Sequence, residues 1–456
     1  MARTKTRYVC SACGAVSGKW SGQCDDCNAW NTLQEETAAA PPTGRGAATQ
    51  SGQPIALASL AGEGATHARH ITGIGELDRV LGGGLVAGSA TLIGGDPGIG
   101  KSTLLLHAAA KCAQSGTRTL YVSGEEALAQ LRMRAERLDI ADAPVELATE
   151  TDVSNIIATL RGNPDIGLVI IDSIQTMWSP AIDSAPGSVG QVRVAAQELI
   201  HHAKTHDTAL ILVGHVTKEG QIAGPRVLEH MVDTVIYFES EGGDRFRILR
   251  AVKNRFGAAH EIGVFEMQTQ GLVEVANPSA LFLETREDNV AGTAVFAGIE
   301  GTRPVLVEIQ ALAAPSSLAM PRRAVVGWDG ARLSVVLAVL EARAGLTFAG
   351  RDVFLNVAGG LRITEPAADL AVAAALISAL CDKPLPAHSA VFGEISLSGA
   401  VRPVIRTDAR LHEAAKLGFK TAFIPVEANA AETPIKTQPV ADLHALMAAL
   451  DISAGG

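Results

Sequence analysis

Gly95-Asp96-Pro97-Gly98-Ile99-Gly100-Lys101-Ser102 has the spacing of a phosphate-binding loop, and Thr103 leads straight into an apolar helical run. The chemistry needs these residue types in this order. Backbone N–H groups of a glycine loop converge on phosphate oxygens, a lysine ammonium meets the β- and γ-phosphates, and a serine hydroxyl ligates Mg²⁺. Residues 95–103 are therefore expected to hold ATP with Mg²⁺. Leu168-Val-Ile-Ile-Asp172 is an apolar run ending in a carboxylate, which sets Asp172 at the C-terminal end of a strand to hold the Mg²⁺ shell through water. Hydrolysis also needs a group that orients and deprotonates the attacking water, and Tyr121-Val-Ser-Gly-Glu125-Glu126 puts two carboxylates after another strand. Glu125 is the expected base; the plainer role, an exposed acid at a helix start favoured by the macrodipole, suits Glu126 better.

A second chemical signal lies near the N-terminus. Cys10-Ser-Ala-Cys13 and Cys24-Asp-Asp-Cys27 are two CxxC pairs separated by ten residues, a pattern of four soft ligands suited to a closed structural Zn²⁺ site. So short a segment cannot bury a sufficient core, and the metal would supply its folding energy. Lys19-Trp20 and Trp30 offer either a contact face or packing around the knuckles. Cys112 and Cys381 fall in apolar helical patterns and are expected to be buried thiols. His201, His202 and His206 share a predicted helix without a metal-ligand partner set and are expected at the surface.

These groups must be positioned by elements that the rest of the chain supplies. At 456 residues, 47% hydrophobic and 19% charged, the sequence excludes wholesale disorder and implies two or three domains. The net charge of −10 argues against a protein coated in nucleic acid but permits a local basic channel. The richest apolar stretch, 367–380, is too short to span a bilayer and contains Asp369, so a soluble protein with no membrane association is expected. The basic residues 1–8 lead into cysteines and not into an apolar secretory core, which points to the cytoplasm. Strands at 90–94, 119–123, 168–172, 210–214 and 234–238 alternate with helical patterns, the mark of an α/β fold with a mostly parallel sheet. The expected division is a four-cysteine zinc finger over 1–30, a flexible Ala/Pro/Gly-rich linker over 31–66, an ATPase domain over 67–275 and a second α/β domain over 276–456.

Ile74-Gly-Glu-Leu-Asp-Arg-Val-Leu-Gly-Gly-Gly84, the Ser-Gly-Glu-Glu strand end and Lys253-Asn-Arg-Phe-Gly257 together resemble the bacterial RadA (Sms) DNA-repair family over essentially the whole chain. The resemblance implies a zinc finger, a RecA-like P-loop ATPase core and a Lon-protease-like domain in that order. It further implies a hexameric ring that hydrolyses ATP, moves on single-stranded DNA and promotes branch migration of recombination intermediates alongside RecA. Lys253 and Arg255 stand two apart on a strand end, hence on one face, where they would neutralise charge on a neighbour's γ-phosphate or serve as surface or DNA-phosphate contacts. His215 matches the γ-phosphate-sensing position of RecA-type proteins, its alternative being an ordinary edge histidine. The stretch 217–226 resembles a second DNA-binding loop in which Lys218 and Arg226 meet phosphates, and 176–190, with Trp178, matches the first such loop as a mobile segment.

The C-terminal part resembles the Lon peptidase domain over 392–403 and 417–425, yet Ala367 stands where the nucleophile belongs and Asp408 where its lysine belongs. Neither can do that chemistry, so the domain is expected to be proteolytically inactive. Arg322, Arg323 and Arg343 are candidate DNA contacts or solvated surface charges. The expected function is a DNA-dependent ATPase of the helicase type acting in DNA repair and recombination; its alternative is an ATP-switched repair scaffold without motor activity, and an ATP-dependent protease is disfavoured.

Overall fold

The computed structural model describes residues 6–10, 16–25, 30, 33–37, 68–215, 227–240, 246–268, 271–283, 289–318, 320–428 and 434–452. The chain divides into two compact units, the first made of Met1–Glu239, Leu249–Ala259 and Met267–Glu274 and the second of Ser240–Ile248, His260–Glu266 and Val275–Gly456.

In the first unit, the strands Glu146–Thr149, Thr119–Ser123, Leu168–Asp172, Ala209–His215, Ala90–Gly95 and Thr234–Glu239 lie side by side in that order, all parallel. Residues 249–254 of the strand Phe246–Asn254 belong to the same unit, as does the strand Gly271–Glu274. The central strands are apolar at nearly every position because parallel strands are covered on both faces, and Leu168–Asp172 is buried throughout. Asp152 caps the helix Val153–Gly162 through the Ser154 amide, and Ser188 caps Val189–Thr205 through that of Gln191. Their apolar faces pack Ile156, Leu160, Val192 and Leu199 against Leu120, Val169 and Leu210 of the sheet.

The N-terminal segment carries a three-stranded antiparallel sheet of Thr6–Cys10, Val16–Ser17 and Leu33–Thr37. The strand Leu33–Thr37 falls within the stretch 31–66 expected as a flexible linker, and Leu33 to Thr37 lie antiparallel to Cys10 to Thr6.

The second unit is built on a seven-stranded mixed sheet. The hairpin Thr293–Glu300 with Arg303–Pro315 is antiparallel, and Ser389–Val391, Thr421–Pro425 and Lys436–Val440 add parallel to its other side. The helix Asp369–Cys381 is buried at every position from Asp369 to Ser378, which explains its all-round apolarity as that of a core helix. Among the described residues, no helix is long and apolar enough to cross a membrane.

Two expectations about single residues are corrected. Cys381 is exposed, because it ends that helix just before Asp382 turns the chain into the left-handed region at φ 50. His202 is buried, on the inward face with Leu199 and Ala203, and stacks its ring on His206 at 4.1 Å. Cys112 is buried as expected, and burial pushes its thiol up to about 11.

Candidate functional site

Three neighbouring strand ends form the site. The strand Ala209–His215 lies between Ala90–Gly95 and Leu168–Asp172, with His215 in register with Gly95 and Leu212 with Ile171. On the far side of Leu168–Asp172, Ser123 is in register with Asp172. Gly95, His215, Asp172 and the turn after Ser123 are thus brought to one C-terminal sheet edge, where open α/β sheets bind ligands.

Asp96, Pro97 and Gly98 are exposed in the turn that follows, while Ile99 is buried and pins the loop to the sheet. Gly100 has φ 115, a left-handed conformation that a side chain would strain, and it gives the helix Lys101–Gln114 no side-chain cap. First-turn N–H groups at Lys101, Ser102 and Thr103 therefore face the loop interior, the ordinary provision for an anion. Lys101 is only 4% exposed; its ammonium donates to the carbonyls of Gly95 at 2.6 Å and Asp96 at 2.9 Å. Burial lowers its pKa, against the opposing charges of Asp172, Asp96 and Glu125.

Glu125 is half-exposed, with one carboxylate oxygen accepting from the Ser173 hydroxyl at 2.5 Å and lying 3.1 Å from His215 Nε2. Burial pushes this carboxyl up, but the hydrogen bonds of Ser173 and His215 and the charges of His215 and Lys101 more than offset it, and the net direction is down. Glu126 is turned elsewhere, into an ion pair with Arg134 at 2.5 Å. His215 Nδ1 is buried and has no hydrogen-bond partner among the described residues.

Asp172 accepts a 2.5 Å hydrogen bond from the Tyr121 hydroxyl. A hydroxyl and a carboxylate are hard oxygen donors that suit Mg²⁺. Among the described residues, no three His, Cys, Asp or Glu side chains gather into a metal cage. Sequence reasoning missed Ser173 and Tyr121. The signal for Tyr121 was a hydroxyl inside an apolar strand; Ser173 differed from an ordinary loop serine only by following Asp172.

Lys253 and Arg255 both approach the Glu229–Asp233 segment but are held differently. The Lys253 ammonium is committed to the carbonyls of Glu229 and Val232, each at 2.7 Å, and burial lowers its pKa, helped by the nearby Arg255 charge. Arg255 is 61% exposed, with Asp233 at 3.7 Å. The rest of the motif is structural. Asn254 donates to the Val80 carbonyl, and a Cβ on Gly257 would stand 2.8 Å from Gly82 Cα. Trp178 is half-buried and fixed by backbone bonds to Thr151 and Val153. Gln191 ties the segment after it through Ser179, Ile182 and Ser184.

In the second unit, Arg322 and Arg323 are exposed near one sheet edge. The Arg323 guanidinium donates to the carbonyls of Arg322, Arg351 and Phe348, and the Arg343 side chain reaches the Leu397 carbonyl. Ala367 is 1% exposed in a short turn, and Asp408 lies in the first turn of the helix Thr407–Lys416. The same two elements are joined by Glu365 and the fully buried Arg410. Beside them a 340 Å³ pocket is lined by Trp328, Arg332, Glu365 and Asp369, with the Arg332 guanidinium paired to Asp369. No hydroxyl–lysine pair occupies the dyad positions. Of the four N-terminal cysteines expected to bind zinc, Cys24 is buried at 2% exposure, and Cys10 ends the strand Thr6–Cys10. Cys13, Cys27, Lys218 and Arg226 lie outside the described residues.

A family model described as an AAA domain matches residues 67–221, one described as a rubredoxin metal binding domain matches 8–35, and one described as subunit ChlI of Mg-chelatase matches 319–428. A solved RadB recombinase covers 45% of this chain and 99% of its own at 23% identity, with a TM-score of 0.37, too slight a likeness to build on. The DNA repair protein RadA of Brucella abortus is 60% identical over 93% of this chain and 92% of its own length. The proteins of the same name from Pseudomonas aeruginosa and Bacillus subtilis are 52% and 48% identical, covering 97% and 100% of both partners. With a zinc ribbon, a RecA-like ATPase core and a Lon-like C-terminal α/β domain in sequence, the chain belongs to the RadA family of DNA repair proteins.

Proposed function

We propose that this chain is a DNA-dependent ATPase of the helicase type that binds single-stranded and branched DNA and drives branch migration of recombination intermediates alongside RecA. The observation that carries the ATPase reading is Glu125, held by Ser173 and His215 on the same sheet edge as Lys101 and Asp172. The loop from Gly95 to Thr103 takes the phosphates of ATP, and Lys101 exchanges its two loop carbonyls for β- and γ-oxygens. Ser102 and Asp172 hold Mg²⁺, which when bound neutralises phosphate charge. Glu125 accepts the proton of the water that attacks the γ-phosphorus, and the bond to the leaving ADP oxygen breaks in line.

The bond from His215 to Glu125 supports a sensing role: the residue that ends its strand is the last before the stretch containing Lys218 and Arg226. Arg255, more exposed than Lys253, is the better candidate for completing a neighbour's site, which makes hydrolysis depend on a closed ring, in this reading a hexamer. The ATPase domain runs over about 67–275 and the inactive Lon-like domain over 276–456, with Arg322 and Arg323 contributing phosphate contacts. Zn²⁺ bound by Cys10, Cys13, Cys24 and Cys27 folds the N-terminal ribbon, and the protein works in the cytoplasm.

The test is ATP hydrolysis by the purified full chain with and without single-stranded DNA, beside a Lys101→Ala control. Stimulation by DNA that vanishes in the control is the expected result. Basal turnover indifferent to DNA would favour a nucleotide-switched scaffold.

A further inference from the structure

We propose that Asp233 is a positioning residue for hydrolysis, holding the Arg255 guanidinium in the orientation in which it completes a neighbour's nucleotide site. The inference rests on the role given to Arg255 above. Asp233 is only 4% exposed and lies between the helix Val227–Met231 and the strand Thr234–Glu239. A carboxylate buried this far needs paired charge and hydrogen bonds, and its partners come from three elements of the fold. Lys204, near the end of the helix Val189–Thr205, donates to Oδ1 at 3.0 Å, and the amide of Ala90 donates to Oδ2 at 3.1 Å. The third partner is Arg255, whose guanidinium stands 3.7 Å from Oδ1.

The two ends of Arg255 are restrained separately. Its root is fixed through the backbone: its own amide donates to the Asp233 carbonyl at 3.2 Å, and Lys253 anchors the preceding strand end to the carbonyls of Glu229 and Val232. Its tip ends a long, 61% exposed side chain, which would sample many rotamers without a charge to face. At 3.7 Å the pair is longer than a hydrogen bond, because Lys204 has the closer place on the same oxygen. Asp233 thus steers the guanidinium and leaves its N–H groups for a phosphate, whereas the Lys253 ammonium is committed to carbonyls. An exposed pair of this kind adds little stability; what it supplies is an aim set before the reaction. The same carboxylate reaches the start of the strand that carries the phosphate loop, and the Asp233 amide donates back to the Ala90 carbonyl at 2.9 Å. The cation offered to a neighbour is therefore held in register with the strand beneath the protomer's own loop.

The experiment measures single-turnover ATP hydrolysis and affinity for a fluorescent ADP analogue on the full chain, for the parent, Asp233→Asn, Arg255→Ala and the double variant. Asparagine keeps an acceptor for the Ala90 amide and removes the charge. Nucleotide affinity should be unchanged in Asp233→Asn, while the hydrolysis rate should fall by about 10–100-fold. In the Arg255→Ala background the same substitution should cost nothing further, because the two residues act as one unit. A loss of equal size in both backgrounds would overturn the proposal, since a purely structural role of Asp233 does not depend on Arg255. A parental rate for Asp233→Asn would overturn it as well. Arg255→Ala hydrolysing at the parental rate would instead remove the role of Arg255, and the proposal with it.

Should Asp233→Asn not fold, Lys204→Met perturbs the same carboxylate from a side chain that is 42% exposed. Arg255 is then the cation left beside Oδ1 among the described residues, and its guanidinium closes to a direct hydrogen bond and is withheld from the neighbour. The rate should fall when Arg255 is present and stay unchanged in the Arg255→Ala background. A parental rate for Lys204→Met would count against the proposal.

Discussion

Two carboxylates, one in each unit, show what separates chemistry from architecture. Glu365 is joined to the fully buried guanidinium of Arg410 and accepts the Ile299 amide as well. Glu125 has a hydroxyl and an imidazole as partners, both on one of its oxygens, and remains half-exposed beside the glycine loop. A carboxylate with both oxygens engaged, by a guanidinium and an amide, has little left to offer a substrate. One held by weaker, re-orientable partners keeps its other oxygen available. The difference teaches that a charged residue in a cleft is to be judged by what its partners leave over.

The largest effect that could break this comparison is on stability. Arg410→Ala leaves Glu365 half-buried without its cation, and breaking such a pair costs about 3–5 kcal/mol. Calorimetry should show a lower unfolding temperature for the variant, with ATP turnover below that transition unchanged. A variant that keeps its stability and loses turnover would place Arg410 in the chemistry.

A smaller effect sharpens the Glu125 side. Its carboxyl lies below the usual carboxylate range because the Ser173 and His215 bonds outweigh burial. A base works only when ionised, so activity is lost as pH falls through this lowered pKa. Removing a donor in Ser173→Ala raises the pKa, and the acid limb of the kcat/KM profile should move to higher pH. The sign for stability is the same. The lowered carboxyl contributes stability above its unfolded pKa, and that contribution disappears as pH falls through the folded value. A limb that stays in place would detach Glu125 from the observed titration.

The smallest effect concerns Cys381, exposed at the end of its helix. Cys381→Ser should change stability by no more than about 0.5 kcal/mol in a denaturant titration. A larger loss would mean that this thiol packs as the apolar pattern suggested.

Much of the fold was legible because its signals are local. The glycine loop, the apolar run ending in Asp172 and the buried parallel strands are each set by neighbours within ten or so residues. The site was legible only in part. Glu125 could be named from its place after a strand, but its contacts to Ser173, 48 positions away, and His215, 90 away, depend on strand order. Tyr121 shared that fate: nothing in Leu-Tyr-Val says that Asp172 will meet its hydroxyl. Lys253 and Arg255 looked equivalent at a spacing of two, and only the carbonyls of Glu229 and Val232 tell them apart. His202 read as a surface residue because a polar type was given more weight than its helical position beside Leu199 and Ala203.

The most direct measurement is single-turnover ATP hydrolysis by Glu125→Gln in the presence of single-stranded DNA, with nucleotide affinity determined on the same sample. The substitution keeps the shape and the hydrogen-bonding positions and removes the base. Expected is near-parental affinity with hydrolysis slowed by about 10²–10⁴-fold, the usual contribution of a positioned general base. Hydrolysis at the parental rate would contradict the assignment of Glu125 and move the base elsewhere on the same sheet edge.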